Sequence, residues 1–320
     1  MRIYIMALDE VFDTGLSTVL DTFSIANDLA ESAGTPSIHF EITVVGVRPR
    51  VNTSQGLSVP LVLAAQLARP DIVLIPALGT KMPETLQVAL ERRDVADAGE
   101  LVRQWFDEGA LVSAACTGTF VLANTSLLDG QSATTSWWLA PLFRERYPRV
   151  ILEESRMVVG SDRLVTAGAA LAHIDLALWL VRRSSPALAA LTARYLVIDP
   201  RPSQAAFMIT DHLMHTDPLI ARFEQWARHR LTQGFSLSVA ASATGTSERT
   251  LARRLKTVLG KTPLSYFQDL RVERAVHLLR TSSDSIDLIA AQVGYANGAT
   301  LRTLLRRRIG RSVSELRKGN

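Results

Sequence analysis

The sequence lacks the features by which secreted, membrane-spanning and disordered proteins are recognised. It contains one cysteine, Cys116, among 320 residues, which excludes an intramolecular disulfide bond and fits a reducing compartment. No uninterrupted apolar run reaches the roughly 18 residues of a membrane span, and the first residues lack the order of a signal peptide. A mean hydropathy of +0.14 argues against disorder. We therefore expect a cytoplasmic protein with no membrane partner and about two domains, at roughly 150 residues per domain.

Positive charge is scarce in the first two thirds of the chain and abundant in the last third. Residues 218–320 contain 18 Lys and Arg against 7 Asp and Glu, a net charge of +11. Residues 1–217 contain 17 against 24, a net charge of −7. A basic segment can be only a solvated face, but this asymmetry predicts that the last third alone meets a polyanion.

The first part of the chain alternates between strand-like and helix-like patterns. Apolar or β-branched runs predict strands at residues 2–8, 38–47, 71–76, 110–115 and 164–167, and helical spacing predicts helices at 14–30, 97–108 and 171–181. This alternation predicts an α/β domain with a doubly wound, mostly parallel, flavodoxin-like sheet that is covered on both faces. Ligands bind at the carboxyl ends of the strands in such sheets.

Residues 113–118 are the most chemically suggestive segment of this part. They read Ser-Ala-Ala-Cys-Thr-Gly and pass from a predicted strand through a turn of small residues into a helix. A side chain at such a corner stands above the sheet edge, as in a nucleophile elbow. The nearby helix N-terminus favours the thiolate form of Cys116. The alternative is a buried structural cysteine, which is common for free thiols.

A repeat with a period of 50 residues occupies the last third. The matching pairs are Ala240 and Ala290, Leu251 and Leu301, Leu255 and Leu305, and Gly260 and Gly310. Each copy predicts a short helix, a turn, and a second helix that begins at an N-cap, Ser247 or Asn297, and ends at a glycine. The last third is therefore predicted to be all-α with two helix-turn-helix motifs. A helix over residues 264–281 joins them and spans roughly 27 Å.

Cationic residues cluster on the second helix of both copies. They are Arg249, Arg253, Arg254 and Lys256 in the first copy and Arg302, Arg306, Arg307 and Arg308 in the second. Residues early in such a helix contact base edges, and flanking cations contact phosphates. Because the cations fall on the same helix twice, we predict binding to double-stranded DNA.

Residues 218–320 resemble the DNA-binding domain of the AraC/XylS family of transcription regulators. The motifs include Ser-Glu-Arg-Thr-Leu at 247–251, Gly-Lys-Thr-Pro at 260–263 and Val-Gly-Tyr at 293–295. The resemblance implies base contacts by Arg249, Ala252 and Arg253 of the first copy and by Ala299, Thr300 and Thr303 of the second. We predict further DNA contacts by Ser247, Lys256, Arg302 and Arg306. Thr303 stands where the family usually has Arg, so we expect weaker base reading by the second copy, with partial compensation by Arg302.

Residues 1 to about 182 resemble the PfpI-type, class I glutamine amidotransferase-like domain. The motifs are Phe-Asp at 12–13, Ala-Cys-Thr-Gly at 115–118 and Ala-Thr-Thr-Ser-Trp at 133–137. Together the two parts resemble the GlxA-like branch of AraC regulators. That resemblance implies a homodimer and a first domain that senses a small metabolite, often an amine or amino-acid derivative. We predict that the small molecule binds at the sheet edge, where the ligand-binding residues are Asp13, Gly79, Cys116, Thr117, Ser136 and Trp137.

One departure from the family pattern bears on catalysis. Ser136 stands where the family has the His that pairs with the thiol, and a serine is no base near neutral pH. We therefore predict a sensor with no catalytic residues, in which Cys116 and Ser136 are the vestige of an elbow. The alternative is a cysteine-dependent amidase, hydrolase or glyoxalase-like enzyme fused to a DNA-binding domain. His173 could approach Cys116, but a structural hydrogen bond is the simpler interpretation.

The sequence also bears on cofactors, metal sites and domain boundaries. No cofactor is expected, and no metal site, because His212 and His215 alone do not make one. Prolines in the segments 184–186 and 199–204 interrupt the pattern of helices and strands. The predicted domains are a sensing and dimerisation domain at 1–183, a connector at 184–217 and a DNA-binding domain at 218–320.

Overall fold

The computed structural model of the protein describes residues 1–32, 38–80, 82–199, 201–207 and 217–317. The chain forms two compact units, Met1–Gln204 and Ala205–Asn320. Within the described ranges, no helix is both long and apolar enough to cross a bilayer.

The first unit is built on a seven-stranded sheet. The strands of this unit are β1 (Arg2–Met6), β2 (Glu41–Gly46), β3 (Arg50–Asn52), β4 (Ser58–Pro60), β5 (Val62–Leu63), β6 (Ile72–Ile75), β7 (Leu111–Ala115), β8 (Ser132–Ala133), β9 (Ile151–Leu152), β10 (Val158–Gly160) and β11 (Leu164–Ala167). The main sheet has the order β10-β11-β7-β6-β1-β2-β5, and only the β10–β11 pair is antiparallel. The predicted doubly wound, mostly parallel α/β fold is confirmed.

Helices cover both faces of this sheet. They are α1 (Asp13–Ser32), α2 (Pro83–Leu90), α3 (Arg93–Asp107), α4 (Gly118–Asn124), α5 (Ala140–Arg146), α6 (Ala172–Ser184) and α7 (Pro186–Tyr195). Neighbouring residues of β1 enter different cores: Ile3 and Ile5 pack with α1, α6 and α7, whereas Tyr4 and Met6 pack with α2 to α5. Burial on both faces explains why these strands are continuous apolar runs.

The start of the predicted connector differs from the structure. The Ser-Pro step at 185–186 begins α7 instead of ending the ordered unit, since the Ser185 hydroxyl accepts a hydrogen bond from the Leu188 N–H and Pro186 occupies the first turn. Proline is favoured there because its missing N–H has no helical partner. Helix α7 packs on α1 and α6, so residues 184–204 belong to the first unit.

The described part of the second unit consists of helices packed around buried apolar side chains. They are α8 (Pro218–Arg228), α9 (Leu237–Ala243), α10 (Glu248–Leu259), α11 (Pro263–Thr281), α12 (Ile286–Gln292), α13 (Gly298–Ile309) and α14 (Val313–Arg317). The pairs α9–α10 and α12–α13 are the two helix-turn-helix motifs. Ser247 and Asn297 cap the second helices, and Gly260 and Gly310 end them at φ values of 67° and 73°. The caps and the glycine ends predicted from the repeat are confirmed.

Candidate functional site

Cys116 lies at a sharp corner between β7 and α4. Its φ of 56° is in the left-handed region, which costs energy for a non-glycine residue and is often associated with function. The next turn approaches the end of β6 so closely that a Cβ on Gly118 would lie 2.5 Å from the Ile75 carbonyl oxygen. The Thr117 hydroxyl donates to the Leu78 carbonyl at 2.8 Å. The sequence at 113–118 therefore forms the elbow that its small residues predict.

The thiol of Cys116 is enclosed and faces a hydroxyl. Its Sγ lies 2.8 Å from the Ser136 Oγ, and Cys116 is 5% exposed while Ser136 is fully buried. Burial raises the pKa of the Cys116 thiol, and the hydrogen bonds from Ser136, Thr117 and Ala170 that favour the thiolate do not compensate. The pKa is therefore shifted against the thiolate that the nearby helix terminus was expected to favour, and the cause is the loss of solvent around the thiol.

His173 cannot serve as the missing base. Its Nε2 accepts the Ala77 N–H at 3.1 Å, and its Nδ1 donates to the Ala170 carbonyl. Burial lowers the pKa of His173 to about 4, so the ring is neutral at physiological pH. A Cβ on Gly15 would lie 2.6 Å from Nε2, which shows how tightly α1 packs on the ring. The structural interpretation of His173 is the one that the geometry supports.

Asp13 and Gly79 form a second group at the same edge of the sheet. The Asp13 Oδ2 accepts from the Ser54 hydroxyl at 2.8 Å and from the Gln55 N–H at 3.1 Å. A Cβ on Gly79 would lie 2.1 Å from the Ser54 Cβ, so both predicted residues contact the same loop. Burial acts to raise the pKa of Asp13, but hydrogen bonds from Thr53, Ser54 and Gln55 hold it below its usual value. The Asp13 carboxylate is therefore charged at neutral pH.

The other Asp13 oxygen and Trp137 complete the predicted ligand set. The Asp13 Oδ1 is buried without a hydrogen-bond partner among the described residues. Trp137 is buried and packs edge-to-face on Trp138, with ring centroids 5.4 Å apart. The structure thus joins Cys116 to Ser136 directly and Asp13 to Gly79 through a shared loop. Ligand access to the thiol requires the covering segments to move.

A surface depression of about 550 Å³ lies beside this edge. Its lining residues are Asp9, Glu10, Thr80, Glu84, Thr85, Val88, Ala89 and Arg92. None of the six predicted ligand residues lines it. The Arg92 guanidinium is bound by Glu10 and Asp94. This depression is therefore distinct from the elbow.

The predicted DNA-contacting residues lie on the outer surface of the two second helices. Exposed members are Ser247, Arg249, Arg253 and Lys256 on or beside α10, and Ala299, Thr300, Arg302, Thr303 and Arg306 on α13; Ala252 is half-buried. The opposite face of each helix is buried through leucines at 251, 255, 301 and 305. Each recognition helix is thus held in the second unit by its leucine face and exposes the predicted DNA-contacting residues on the opposite face.

Two arginines of the cationic clusters bind carboxylates of their own unit. Arg254 pairs with Asp217, the buried N-cap of α8, and Arg308 pairs with Asp269 of α11. Both are structural ion pairs that the charge pattern alone did not distinguish from DNA contacts. His212 and His215 lie outside the described residues.

The comparisons with known proteins agree with this geometry. Residues 1–183 match the model of the DJ-1/PfpI family, which is more than half of the chain. The chain belongs to the DJ-1/PfpI family. Residues 240–319 match the model of a helix-turn-helix domain, so the DJ-1/PfpI unit is followed by the two motifs described above. The resemblances inferred from the sequence motifs are confirmed.

Curated proteins that are similar to this chain are named as transcriptional regulators. The HTH-type transcriptional regulator ArgR of Pseudomonas aeruginosa is 28% identical over 204 residues, 62% of this chain and 62% of that protein. The regulator CdhR of the same organism is 28% identical over 204 residues, 62% of this chain and 60% of that protein. The chain therefore spans less than two thirds of the length of these curated relatives.

A solved structure shares the fold of the DJ-1/PfpI unit. An AraC family transcriptional regulator from Pseudomonas putida matches 61% of this chain and 98% of its own with a TM-score of 0.51, at 18% identity. At that identity the likeness establishes the fold alone.

Proposed function

We propose that this protein is a sequence-specific DNA-binding transcription regulator whose DJ-1/PfpI unit senses a small amine or amino-acid derivative. The observation that carries the proposal is the pair of recognition helices, each capped, held by a leucine face and exposing cations on the other face. The net charge of +11 in residues 218–320 supports a polyanionic partner. The regulators ArgR and CdhR, to which the chain is similar, support the same assignment.

The two recognition helices contribute unequally to base recognition. Arg249 and Arg253 lie on the exposed face of α10 and can donate to guanine edges in the major groove. On α13, Ala299 and Thr303 offer only a methyl group and a hydroxyl, and the Thr303 hydroxyl already bonds the Ala299 carbonyl. Arg302 is exposed on the same helix and compensates in part. The first motif therefore supplies most of the sequence discrimination, and the second contributes mainly affinity.

DNA binding is tested with a duplex selected from a random library by the unaltered chain. We expect Arg253→Ala to weaken binding to that duplex by about 5- to 150-fold, the equivalent of about 1–3 kcal/mol for a bidentate base contact. Binding to a scrambled duplex should change much less. Arg182→Ala removes the same charge from an exposed site on α6 and should change neither. An equal loss of affinity for both duplexes would make Arg253 a phosphate contact. Failure of the random library to yield any enriched sequence would refute sequence specificity.

We further propose that the DJ-1/PfpI unit has no hydrolase activity. The thiol faces the Ser136 hydroxyl, its pKa is raised by burial, and the buried His173 is neutral with both ring nitrogens bonded. A thiol nucleophile needs an adjacent base or a lowered pKa. Purified protein should not turn over chromogenic esters or amides. Turnover that disappears in Cys116→Ala would favour the alternative of an amidase or glyoxalase-like enzyme.

Asp13 supports the proposed effector class. Its charged carboxylate has one buried oxygen without a hydrogen-bond partner among the described residues, which suits a cationic amine. A panel of amines, amino acids and betaines should contain a compound that raises stability by about 2.7 kcal/mol at a hundredfold excess over its Kd. Asp13→Asn should abolish that shift, and Asp21→Asn, an exposed change on the same helix, should preserve it. A shift retained in Asp13→Asn would place the ligand elsewhere.

We propose a homodimer as the DNA-binding form, in keeping with the family resemblance and with the symmetry of most oligomeric regulators. Sedimentation of the full chain should give about twice the monomer mass of 35.0 kDa. A monomer at every concentration tested would overturn this assignment.

A further inference from the structure

The segment at 201–204, named here the strap, closes the first unit and is bound along its whole length. The Gln204 N–H donates to the Ser155 carbonyl at 2.9 Å, and the Ser203 hydroxyl donates to the same carbonyl at 2.7 Å. At the other end, Arg201 binds the Asp175 carboxylate. The second unit begins at the next residue after the strap.

Gln204 fills a slot that is built around its side chain. Its Nε2 donates to the Thr135 carbonyl at 2.9 Å, to the Glu154 carbonyl at 2.7 Å and to the Thr134 hydroxyl at 3.3 Å. Its Oε1 accepts the Ala169 N–H at 3.0 Å. Gln204 is 1% exposed. A buried amide with both ends bonded is a strong local anchor, because leaving its partners unsatisfied is costly.

The slot is tightly packed on the side of Gly168, where a larger residue would collide with the Gln204 amide. A Cβ on Gly168 would lie 2.5 Å from the Gln204 Oε1. The glycine therefore lets the backbone after β11 approach the amide directly. Packing of this kind has discrete seated and unseated states, since close-packed interiors deform little between them.

Two backbone segments, 134–136 and 167–170, form the wall that lies between the Gln204 slot and the Cys116 thiol, and they bond to both residues. Thr135 donates its hydroxyl to the Cys116 carbonyl at 2.7 Å, while its own carbonyl holds Gln204. On the other side, the Ala167 carbonyl accepts the Cys116 N–H at 3.0 Å, and Ala169 holds Gln204 two residues later. Cys116 and Gln204 thus share their neighbours on both flanks.

We propose that the strap is a latch that reports the state of the elbow to the second unit. A group accommodated beside the enclosed Cys116 thiol displaces segment 134–136 or 167–170, weakens the slot and unseats Gln204. Release frees four residues directly before the second unit, which adds up to about 14 Å of chain. The coupling runs through contiguous hydrogen bonds with two arrangements, and only its last step, the effect on DNA, rests on the proposed function.

The first test uses the single cysteine of the full-length chain as a probe. Methyl methanethiosulfonate converts the thiol to a methyl disulfide with loss of methanesulfinate, and mass spectrometry follows the rate. We expect Gln204→Ala to react at least about tenfold faster than the unaltered chain, since several hydrogen bonds of the wall are lost. Gln66→Ala, an exposed glutamine of the same unit, should react at the unaltered rate. Equal rates in both variants would overturn the latch.

The second test needs no substitution and applies even if Gln204→Ala does not fold. Hydrogen exchange of the unaltered chain is measured before and after methylthiolation of Cys116. Exchange of the backbone N–H groups of Gln204 and Ala169 should accelerate. Exchange of the backbone N–H groups in β2, which is remote along the sheet, should not. Unchanged exchange at both amides in fully labelled protein would overturn the proposal.

Neither test involves DNA, so failure of the latch and failure of the proposed function are separable. The affinity of the methylthiolated chain for the selected duplex then tests the last step. A changed affinity supports transmission to the second unit. Faster strap exchange with unchanged affinity would overturn that step. Absence of DNA binding in the unlabelled chain would refute the proposed function and leave the coupling of Cys116 to Gln204 intact.

Discussion

The sharpest quantitative prediction concerns the pH dependence of stability and His173. Burial lowers the pKa of His173 to about 4 from its ordinary 6.5. Between these two values the unfolded chain binds a proton that the folded chain excludes, so folding stability falls as the pH falls. The contribution is fully present above about pH 6.5. Its loss by pH 4 is about 3 kcal/mol, from 1.36 kcal/mol for each pKa unit.

The assay compares His173→Gln with the unaltered chain by urea unfolding from pH 4 to pH 7. Tryptophan fluorescence reports the first unit, because four of the five tryptophans lie at positions 105–179. The glutamine can still accept the Ala77 N–H but does not titrate. The stability difference between the two proteins should shrink by about 3 kcal/mol as the pH falls from 7 to 4. A difference that stays constant with pH would refute a buried, neutral histidine.

Three further predictions concern packing and capping. Gly118→Ala should destabilise the first unit by more than about 2 kcal/mol in thermal unfolding, because its Cβ meets two backbone oxygens within 2.6 Å. Gly99→Ala inside α3 should be neutral or stabilising in the same assay, because its Cβ would meet only the Thr125 Cγ2, at an ordinary contact distance of 3.5 Å. Arg254→Ala should lower the stability of the second unit by about 2 kcal/mol, measured by urea unfolding followed at Trp226, because it removes the cationic partner of the buried Asp217 Oδ2, while Oδ1 keeps its two backbone N–H donors. An unchanged midpoint would contradict this. Ser247→Ala should cost about 1 kcal/mol in the same assay through loss of the N-cap of α10, and an unaltered stability would show that water replaces the hydroxyl.

The parts of the fold that the sequence predicts well are those with strong periodicity. The parallel strands are continuous apolar runs because both faces are buried, and β11 begins and ends where the pattern places it. The two helix-turn-helix motifs were predictable because Ser247, Gly260, Asn297 and Gly310 mark helix ends by local backbone chemistry. Helix α2 was missed, since its eight residues are too few for a clear helical period.

The parts of the site that escaped prediction depend on contacts distant in sequence. Gln204 lies in a proline-rich segment without any periodic pattern, and its slot is made by residues 35 to 70 positions earlier. The state of Cys116 depends on how deeply the elbow is buried, which local spacing does not encode. Arg254 is indistinguishable from Arg253 in charge, and only the position of Asp217, 37 residues earlier, assigns it a structural role.

Anchored residues stand on either side of positions 205–216 in the sequence. On one side, Gln204 is seated in the wall of the elbow. On the other, Asp217 caps α8 and binds Arg254 of the first recognition helix. Release of the strap adds at most four residues, about 14 Å of extended chain, between these two anchors.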